Sequence, residues 1–169
     1  IQKFVAAGLA FFVSTSFSKS FSLYGERVGA LSVLCQSKEE ADRVLSQLKI
    51  AIRTNYSNPP IHGGAVVAAV LNTPELRALW EKELGEMRVR IKAMRSKLVD
   101  GLKAAGVKQD MSFMTEQIGM FSYSGLSKEQ MLRLRSEFGV YGTDTGRICV
   151  AALNSKNIDY VCQAIAKVI

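Results

Sequence analysis

One lysine lies within a run of hydroxyl side chains, and one arginine follows it eight residues later. Lys19 is accompanied by five serines between Ser14 and Ser22, and Arg27 closes the same segment. A lysine in a partly desolvated loop can lose its proton near neutral pH and attack a carbonyl carbon. Hydroxyl groups and a guanidinium suit a phosphate. A pyridoxal phosphate (PLP) site needs these groups, although a serine-rich surface loop with a solvated lysine has the same composition.

Two further arginines are candidates for binding an anion. Arg147 stands at the start of an apolar run, residues 148–153, without an acidic neighbour in that run. Because an unpaired charge near a core is costly, we expect an anion from elsewhere to meet it. A guanidinium binds a carboxylate through two parallel hydrogen bonds. Arg53 lies near the end of a predicted helix, where a cation also complements the helix dipole without any ligand.

Two apolar runs must position the lysine segment. Residues 9–14 and 29–35 are apolar on both faces, which predicts two short buried strands with the polar segment between them. Polar loops at the ends of buried strands are common places for binding chemistry. We therefore expect the lysine segment to be presented at the end of a sheet.

Three helices are predicted in the middle of the chain. Ser37 and the two glutamates after it predict a helix start, and the prolines at 59–60 predict its end. The glycines at 63–64 are expected to be flexible, and a small-residue helix is predicted over 65–71. The spacing of apolar residues by three and four predicts one long amphipathic helix over about 74–105.

The long helix also divides the chain. A helix of about 30 residues is about 45 Å long at 1.5 Å per residue, which is too long for one small core. We therefore expect it to run across two domains, with the boundary near Gly85, so that residues 1–85 and 86–169 form separate parts.

The C-terminal part alternates between short strands and helices. Strands are predicted at residues 119–123, 140–141 and 148–153, and a helix is predicted over 127–138. Asn154 is expected to cap a last helix. This order indicates an α+β layer in which helices pack on a small sheet.

The lysine segment has a specific counterpart among known families. The sequences SFSK at residues 16–19 and SLYGERVG at 22–29 closely resemble the PLP-lysine signature of fold-type I aminotransferases of the aspartate/aromatic subgroup. The resemblance implies that Lys19 holds PLP as a Schiff base and later moves the α-proton of the substrate. It further implies that Ser16 and Arg27 hold the phosphate of the cofactor.

The resemblance continues through the rest of the chain. RTNYSNPP, which begins at Arg53, is similar to the segment whose arginine reaches the neighbouring subunit and pairs with the distal carboxylate of a dicarboxylic substrate. TGRICVA resembles the strand whose arginine, here Arg147, binds the substrate α-carboxylate. The tripeptide ending at Phe121 resembles the strand whose aromatic ring lines the substrate pocket, although a strand phenylalanine is usually a core residue.

The family resemblance sets the expected fold and activity. It implies the α/β fold of PLP-dependent transferases, with residues 1–85 as the end of the large PLP-binding domain and 86–169 as the small C-terminal domain. The implied reaction moves an amino group between aspartate or aromatic amino acids and 2-oxoglutarate in a homodimer with shared active sites. The three cysteines, odd in number and without CxxC spacing, favour a reducing, cytoplasmic compartment. The sequence leaves the preference between aspartate and aromatic substrates open.

Some family residues precede the region that the chain matches. The aspartate that pairs with the pyridine nitrogen, a tyrosine near the cofactor oxygen, an asparagine and the aromatic residue stacked on the cofactor all lie N-terminal to the lysine in the family. Only 18 residues precede Lys19. We therefore expect the chain to be the C-terminal portion of a longer enzyme and to be inactive by itself.

Other classes of function are less well supported by the sequence. Three cysteines without CxxC spacing and a single histidine, His62, argue against a zinc site or a disulfide framework, and we assign no metal. No apolar run approaches the ~20 residues of a membrane span. The net charge of +7 leaves a basic, non-catalytic interaction module as the alternative. Its face would comprise Arg88, Arg90, Lys92, Arg95 and Lys97, but their spread along one helix without aromatics disfavours nucleic acid.

An aminotransferase-fold lyase or decarboxylase is the third alternative. Such an enzyme would keep Lys19 but need not keep both Arg53 and Arg147. The presence of both arginines favours transamination of dicarboxylates.

Overall fold

The computed structural model describes residues 1–169, which divide into two compact units, Ile1–Glu81 and Lys82–Ile169. The predicted boundary near Gly85 lies four residues beyond this division. The assignment of the two units to a large and a small domain stays a prediction. None of the helices is both long enough and apolar enough to span a membrane.

The first unit contains a β-hairpin after a short helix. Helix α1 spans Gln2–Ala6, and strands β1 (Phe12–Ser16) and β2 (Gly29–Val33) pair in antiparallel register. The prediction of a buried strand at residues 9–14 is wrong in position and in burial. The ladder begins only where Phe12 faces Val33, and four of the five β1 residues are exposed, because β1 and β2 pair with each other alone.

Three helices follow the hairpin. Helix α2 spans Lys38–Tyr56, and the Ser37 hydroxyl caps it by accepting a hydrogen bond from the Glu40 amide at 3.2 Å, as predicted. Helix α3 spans Ile61–Asn72 and α4 spans Pro74–Ala104. The expectation that the glycines at 63–64 are flexible is wrong. Both lie inside α3, and Gly63 is buried against the chain that follows the lysine segment.

The long helix α4 agrees with its prediction over 74–105. It has 31 residues, and Gly85 does not interrupt it. A single glycine costs a helix only about 1 kcal/mol relative to alanine, so the apolar periodicity on both sides of it prevails. The helix begins in the first unit and continues into the second.

The second unit contains nearly all of the hydrophobic core. Strands β3 (Phe121–Tyr123) and β4 (Arg147–Cys149) form an antiparallel pair, and helices α5 (Phe113–Glu116), α6 (Lys128–Phe138) and α7 (Ile158–Val168) complete the unit. The core cluster consists only of residues between Met94 and Val168. In the first unit Val67 is the single buried hydrophobic residue.

Three predictions for the C-terminal part need correction. Residues 140–141 are not a strand, because the Val140 amide donates to the Leu134 carbonyl and closes α6 around Gly139, whose φ is 62°. The strand predicted at 148–153 ends at Cys149 and continues as a 3₁₀ turn, Val150–Ala152. The N-cap of α7 is Asn157 rather than Asn154.

Candidate active site

The lysine lies on a turn directly after β1. The Phe17 carbonyl accepts a hydrogen bond from the Phe21 amide at 3.2 Å, and the Lys19 carbonyl accepts one from the Ser22 amide at 3.3 Å. The Lys19 side chain is exposed, and its Nζ lies 4.2 Å from the centre of the Tyr24 ring. This amine makes no hydrogen bond or ion pair within the chain, so it is available to a ligand.

Two serines before the lysine are linked to each other. The Ser16 hydroxyl donates to the Ser18 hydroxyl at 3.1 Å and accepts from the Ser18 amide at 3.3 Å. Ser18 is only 5% exposed, whereas Ser16 is exposed. Sequence reasoning identified Ser16 and missed Ser18, since nothing in a run of alternating serines tells which hydroxyl is buried. The buried serine fixes the exposed one at the end of β1.

The arginine lies at the same end of the hairpin as Ser16. The Phe17 amide donates to the Val28 carbonyl at 3.2 Å, and Ser16 and Arg27 each lie one residue from this hydrogen bond. Arg27 has a φ of 52°, a left-handed conformation that bulky residues rarely adopt, and its guanidinium donates to the Tyr24 carbonyl at 2.9 Å. Unusual backbone geometry of this kind concentrates at functional sites.

The donor set at this end of the hairpin fits a phosphorylated carbonyl compound. It combines an exposed primary amine on Lys19, a hydroxyl on Ser16 and a guanidinium on Arg27. The amine suits covalent attachment to a carbonyl, and the other two groups suit a phosphate dianion. No group of three histidine, cysteine or acidic side chains that could hold a metal ion occurs in the structure.

Arg53 lies in the last turn of α2 and is exposed. Its guanidinium makes no hydrogen bond or ion pair within the chain. The chain leaves α2 through Ser57, whose φ of 70° and ψ of −68° form a γ-turn closed by a 2.9 Å hydrogen bond from the Asn58 amide to the Tyr56 carbonyl. This turn is rare and strained, which supports a functional role for the segment that begins at Arg53.

The second unit brings Arg147 and Phe121 together. The register of β3 and β4 places Tyr123 opposite Arg147, and the Arg147 guanidinium carbon lies 5.0 Å from the centre of the Phe121 ring. Phe121 is 37% exposed, so it is not a buried core residue. Arg147 is exposed as well, which corrects the argument that its charge lies near a core. Solvent stabilises the charge, and no carboxylate within the chain pairs with it.

A buried arginine that sequence reasoning did not place in the site supports this pair. Arg95 is 3% exposed, has no acidic partner, and donates to the Ser122 hydroxyl at 2.9 Å and to the carbonyls of Gly119 at 2.7 Å and Phe121 at 3.2 Å. Burial lowers the pKa of Arg95 from its usual value. These contacts fix the backbone of β3 under the Phe121 ring.

The same contacts weaken the alternative of a basic binding face. Arg95 is buried, and the Arg90 guanidinium donates to the carbonyls of Leu153 at 2.8 Å and Ala151 at 2.6 Å. Two of the five cations proposed for that face therefore hold the fold of the second unit together, and one of them, Arg95, is too buried to meet a partner.

The predicted site residues thus lie in both units. Lys19, Ser16, Arg27 and Arg53 belong to Ile1–Glu81, and Arg147 and Phe121 belong to Lys82–Ile169.

Comparisons with known proteins agree on one family. The model of the family described as aminotransferase class I and II matches residues 2–165. The chain is 62% identical to an aspartate aminotransferase of Pseudomonas aeruginosa and covers 42% of that protein with its whole length. With 99% of its length it is 54% identical to an aromatic-amino-acid aminotransferase of Escherichia coli, of which it again covers 42%.

A solved structure is also similar to the chain. It is an aromatic-amino-acid aminotransferase from Burkholderia pseudomallei, described as covalently bound to pyridoxal phosphate. The TM-score is 0.92 at 69% sequence identity, over 98% of this chain and 41% of the other. The chain therefore spans about two fifths of the length of the relatives that it matches.

Proposed function

Because the chain belongs to the class I and II aminotransferases, we propose that the protein of which it is part transfers amino groups with PLP as cofactor. The substrates would be aspartate or aromatic amino acids, with a 2-oxo acid such as 2-oxoglutarate as the acceptor. The observation that carries the proposal is the lysine turn, where an exposed amine without a hydrogen bond or ion pair lies at the same hairpin end as Ser16 and Arg27.

Each residue of the lysine turn would have a separate role. Lys19 would hold the cofactor covalently, and Ser16 and Arg27 would hold its phosphate through hydrogen bonds, the arginine adding its charge. When bound, PLP supplies an electron sink that makes the α-carbon of an amino acid acidic. The released Lys19 amine would then take up the α-proton and return it, which requires a neutral amine within reach of that carbon.

The substrate would be oriented by Arg147 and Phe121. A guanidinium fork at Arg147 would bind the α-carboxylate through two parallel hydrogen bonds. The Phe121 ring, 5.0 Å from the guanidinium carbon, would limit the orientations that this arginine can adopt. Arg95 would help to position Phe121 and Arg147, because its hydrogen bonds hold the backbone of β3.

We also propose a homodimer in which Arg53 serves the active site of the neighbouring subunit. Its exposed guanidinium has no partner within the chain and stands before a strained turn. A second arginine would recognise the distal carboxylate of aspartate, glutamate or 2-oxoglutarate.

Three free cysteines are compatible with a reducing compartment such as the cytoplasm.

A test of the proposed function compares two lysine variants of the full-length protein. Lys19→Ala should abolish amino transfer from aspartate and from phenylalanine to 2-oxoglutarate, since both the cofactor attachment and the proton carrier are lost. Lys38→Ala removes an exposed lysine at the start of α2 and should retain activity. Wild-type protein without amino transfer, or an active Lys19→Ala variant, would contradict the proposal.

A further inference from the structure

The side chain of Trp80 contacts the turn that carries Lys19. Trp80 lies in the second turn of α4, and its indole Nε1–H donates to the Ser20 carbonyl at 2.7 Å. Its ring stacks on Phe21 with centroids 4.7 Å apart and planes 16° from parallel. Phe21 in turn meets Phe17 edge-on at 5.4 Å. The first unit thus contains an aromatic stack under the lysine turn, although sequence reasoning placed Trp80 only on the apolar face of a long helix.

This contact acts on the peptide next to the lysine. Ser20 directly follows Lys19, and its carbonyl is held by a residue 60 positions further along the chain. The lysine side chain has no hydrogen bond to fix it, and it carries four rotatable bonds. Its Nζ contacts the Tyr24 ring, 4.2 Å from the ring centre. The position of Nζ therefore depends on this contact and on how firmly the backbone on each side of Lys19 is held. The Phe17 amide holds one side through the Val28 carbonyl, and Trp80 holds the other.

We propose that Trp80 is a positioning residue for Lys19, with an indole N–H that fixes the following peptide and a ring that locks Phe21. The proposal rests on the proposed function, in which Lys19 holds the cofactor and carries the proton. A loosened turn lets the amine sample positions from which neither task succeeds, and misplacement of a reacting group by about 1 Å can cost on the order of a hundredfold in rate.

The test uses the full-length protein and three variants. Trp80→Phe keeps a ring to stack on Phe21 and removes the donor to the Ser20 carbonyl. Phe21→Leu removes the stack from the other side and provides a second variant should the first fail to fold. Leu79→Ala alters an exposed neighbour in the same helix and is the matched control. The measurements are the rate at which added PLP attaches to the apoprotein, followed by absorbance, and kcat and KM for aspartate.

We expect Trp80→Phe and Phe21→Leu to slow PLP attachment and lower kcat by roughly tenfold each, with KM for aspartate within about twofold of wild type. Leu79→Ala should match the wild type. Because a smaller folded fraction would also lower the apparent kcat at an unchanged KM, kcat is calculated per PLP-loaded site.

A double-mutant cycle separates positioning from general support. The affinity for PLP is measured for four proteins: the wild type, Lys19→Ala, Trp80→Phe and the double variant. We expect Trp80→Phe to weaken binding only when Lys19 is present. Equal weakening in both backgrounds, or a Trp80→Phe variant equal to Leu79→Ala, would overturn the inference. Wild-type protein that never attaches PLP to Lys19 would instead overturn the proposed function.

Discussion

Gly63 packs closely against the residues on either side of the candidate phosphate arginine, and this contact allows a sharp perturbation. A β-carbon at Gly63 would lie 3.0 Å from the Glu26 β-carbon and 3.0 Å from a methyl group of Val28. Carbon atoms prefer separations of about 3.5–4.0 Å, so alanine at this position requires its neighbours to move by a few tenths of an ångström. Glu26 and Val28 flank Arg27 on both sides. The substitution Gly63→Ala therefore pushes on the chain that carries the arginine.

The adjacent glycine provides the control. A β-carbon at Gly64 would have no heavy atom within 4 Å, and both glycines lie inside α3. Each alanine gains about 1 kcal/mol of helix propensity. Gly64→Ala should therefore stabilise the protein by about that amount. Gly63→Ala adds an overpacking cost of about 1–3 kcal/mol and should be less stable than Gly64→Ala by this difference.

The assays are denaturant unfolding and PLP titration of the full-length protein. Displacement of Arg27 should raise the Kd for PLP roughly tenfold in Gly63→Ala, comparable to the loss of one charge-assisted hydrogen bond, and leave it unchanged in Gly64→Ala. If Gly63→Ala is as stable as Gly64→Ala and binds PLP as tightly as wild type, the chain around Arg27 is not held by α3 and the reasoning fails.

Further variants test other parts of the account. Arg147→Lys keeps the positive charge but loses the two parallel hydrogen bonds of the guanidinium. The variant should lose about 2–4 kcal/mol of transition-state stabilisation, measured as a fall in kcat/KM for every substrate. A loss confined to aspartate would contradict this role. Arg53→Ala should impair aspartate and spare phenylalanine, because only dicarboxylates offer a second anion; equal losses in kcat/KM would refute the assignment. Burial, with a smaller contribution from Asp159, raises the pKa of Cys162 to about 11 from 9.0. The unfolded chain therefore releases this proton first, and the free energy of unfolding should decline between pH 9 and 11 in wild type but not in Cys162→Ala. The isolated 169-residue chain should associate on sedimentation, because its first unit exposes large apolar side chains such as Phe12 and Leu31; a stable monomer would contradict this.

Local signals predicted the helices well and the strands less well. The bounds of α4 follow from Pro74 at its first position and from apolar spacing over many turns, and those of α2 follow from Ser37 and the prolines after Tyr56. The register of β1 depends on where Phe12 meets its partner Val33, which no local pattern reveals. The predicted flexibility of Gly63 is wrong for the same reason: its close contact is with Val28, which is distant in the sequence.

Some residues of the candidate site can be found from a local sequence motif, and others only from contacts between distant segments. Lys19, Ser16 and Arg27 lie in one short motif, so their sequence alone draws attention to them. Trp80 and Arg95 do not, because their importance arises from contacts with residues far away in the chain. Sequence shows that α4 carries many arginines but not that Arg95 is the buried one with only carbonyl and hydroxyl partners.

The most direct test of the central claim asks which lysine holds the cofactor. The full-length protein is loaded with PLP, reduced with borohydride, digested and mapped by mass spectrometry. The amine of Lys19 is exposed and lies at the same hairpin end as Ser16 and Arg27, which predicts a pyridoxyl group on Lys19. A pyridoxyl group on Lys3 or Lys38 instead, or no labelled peptide at all, would contradict the account.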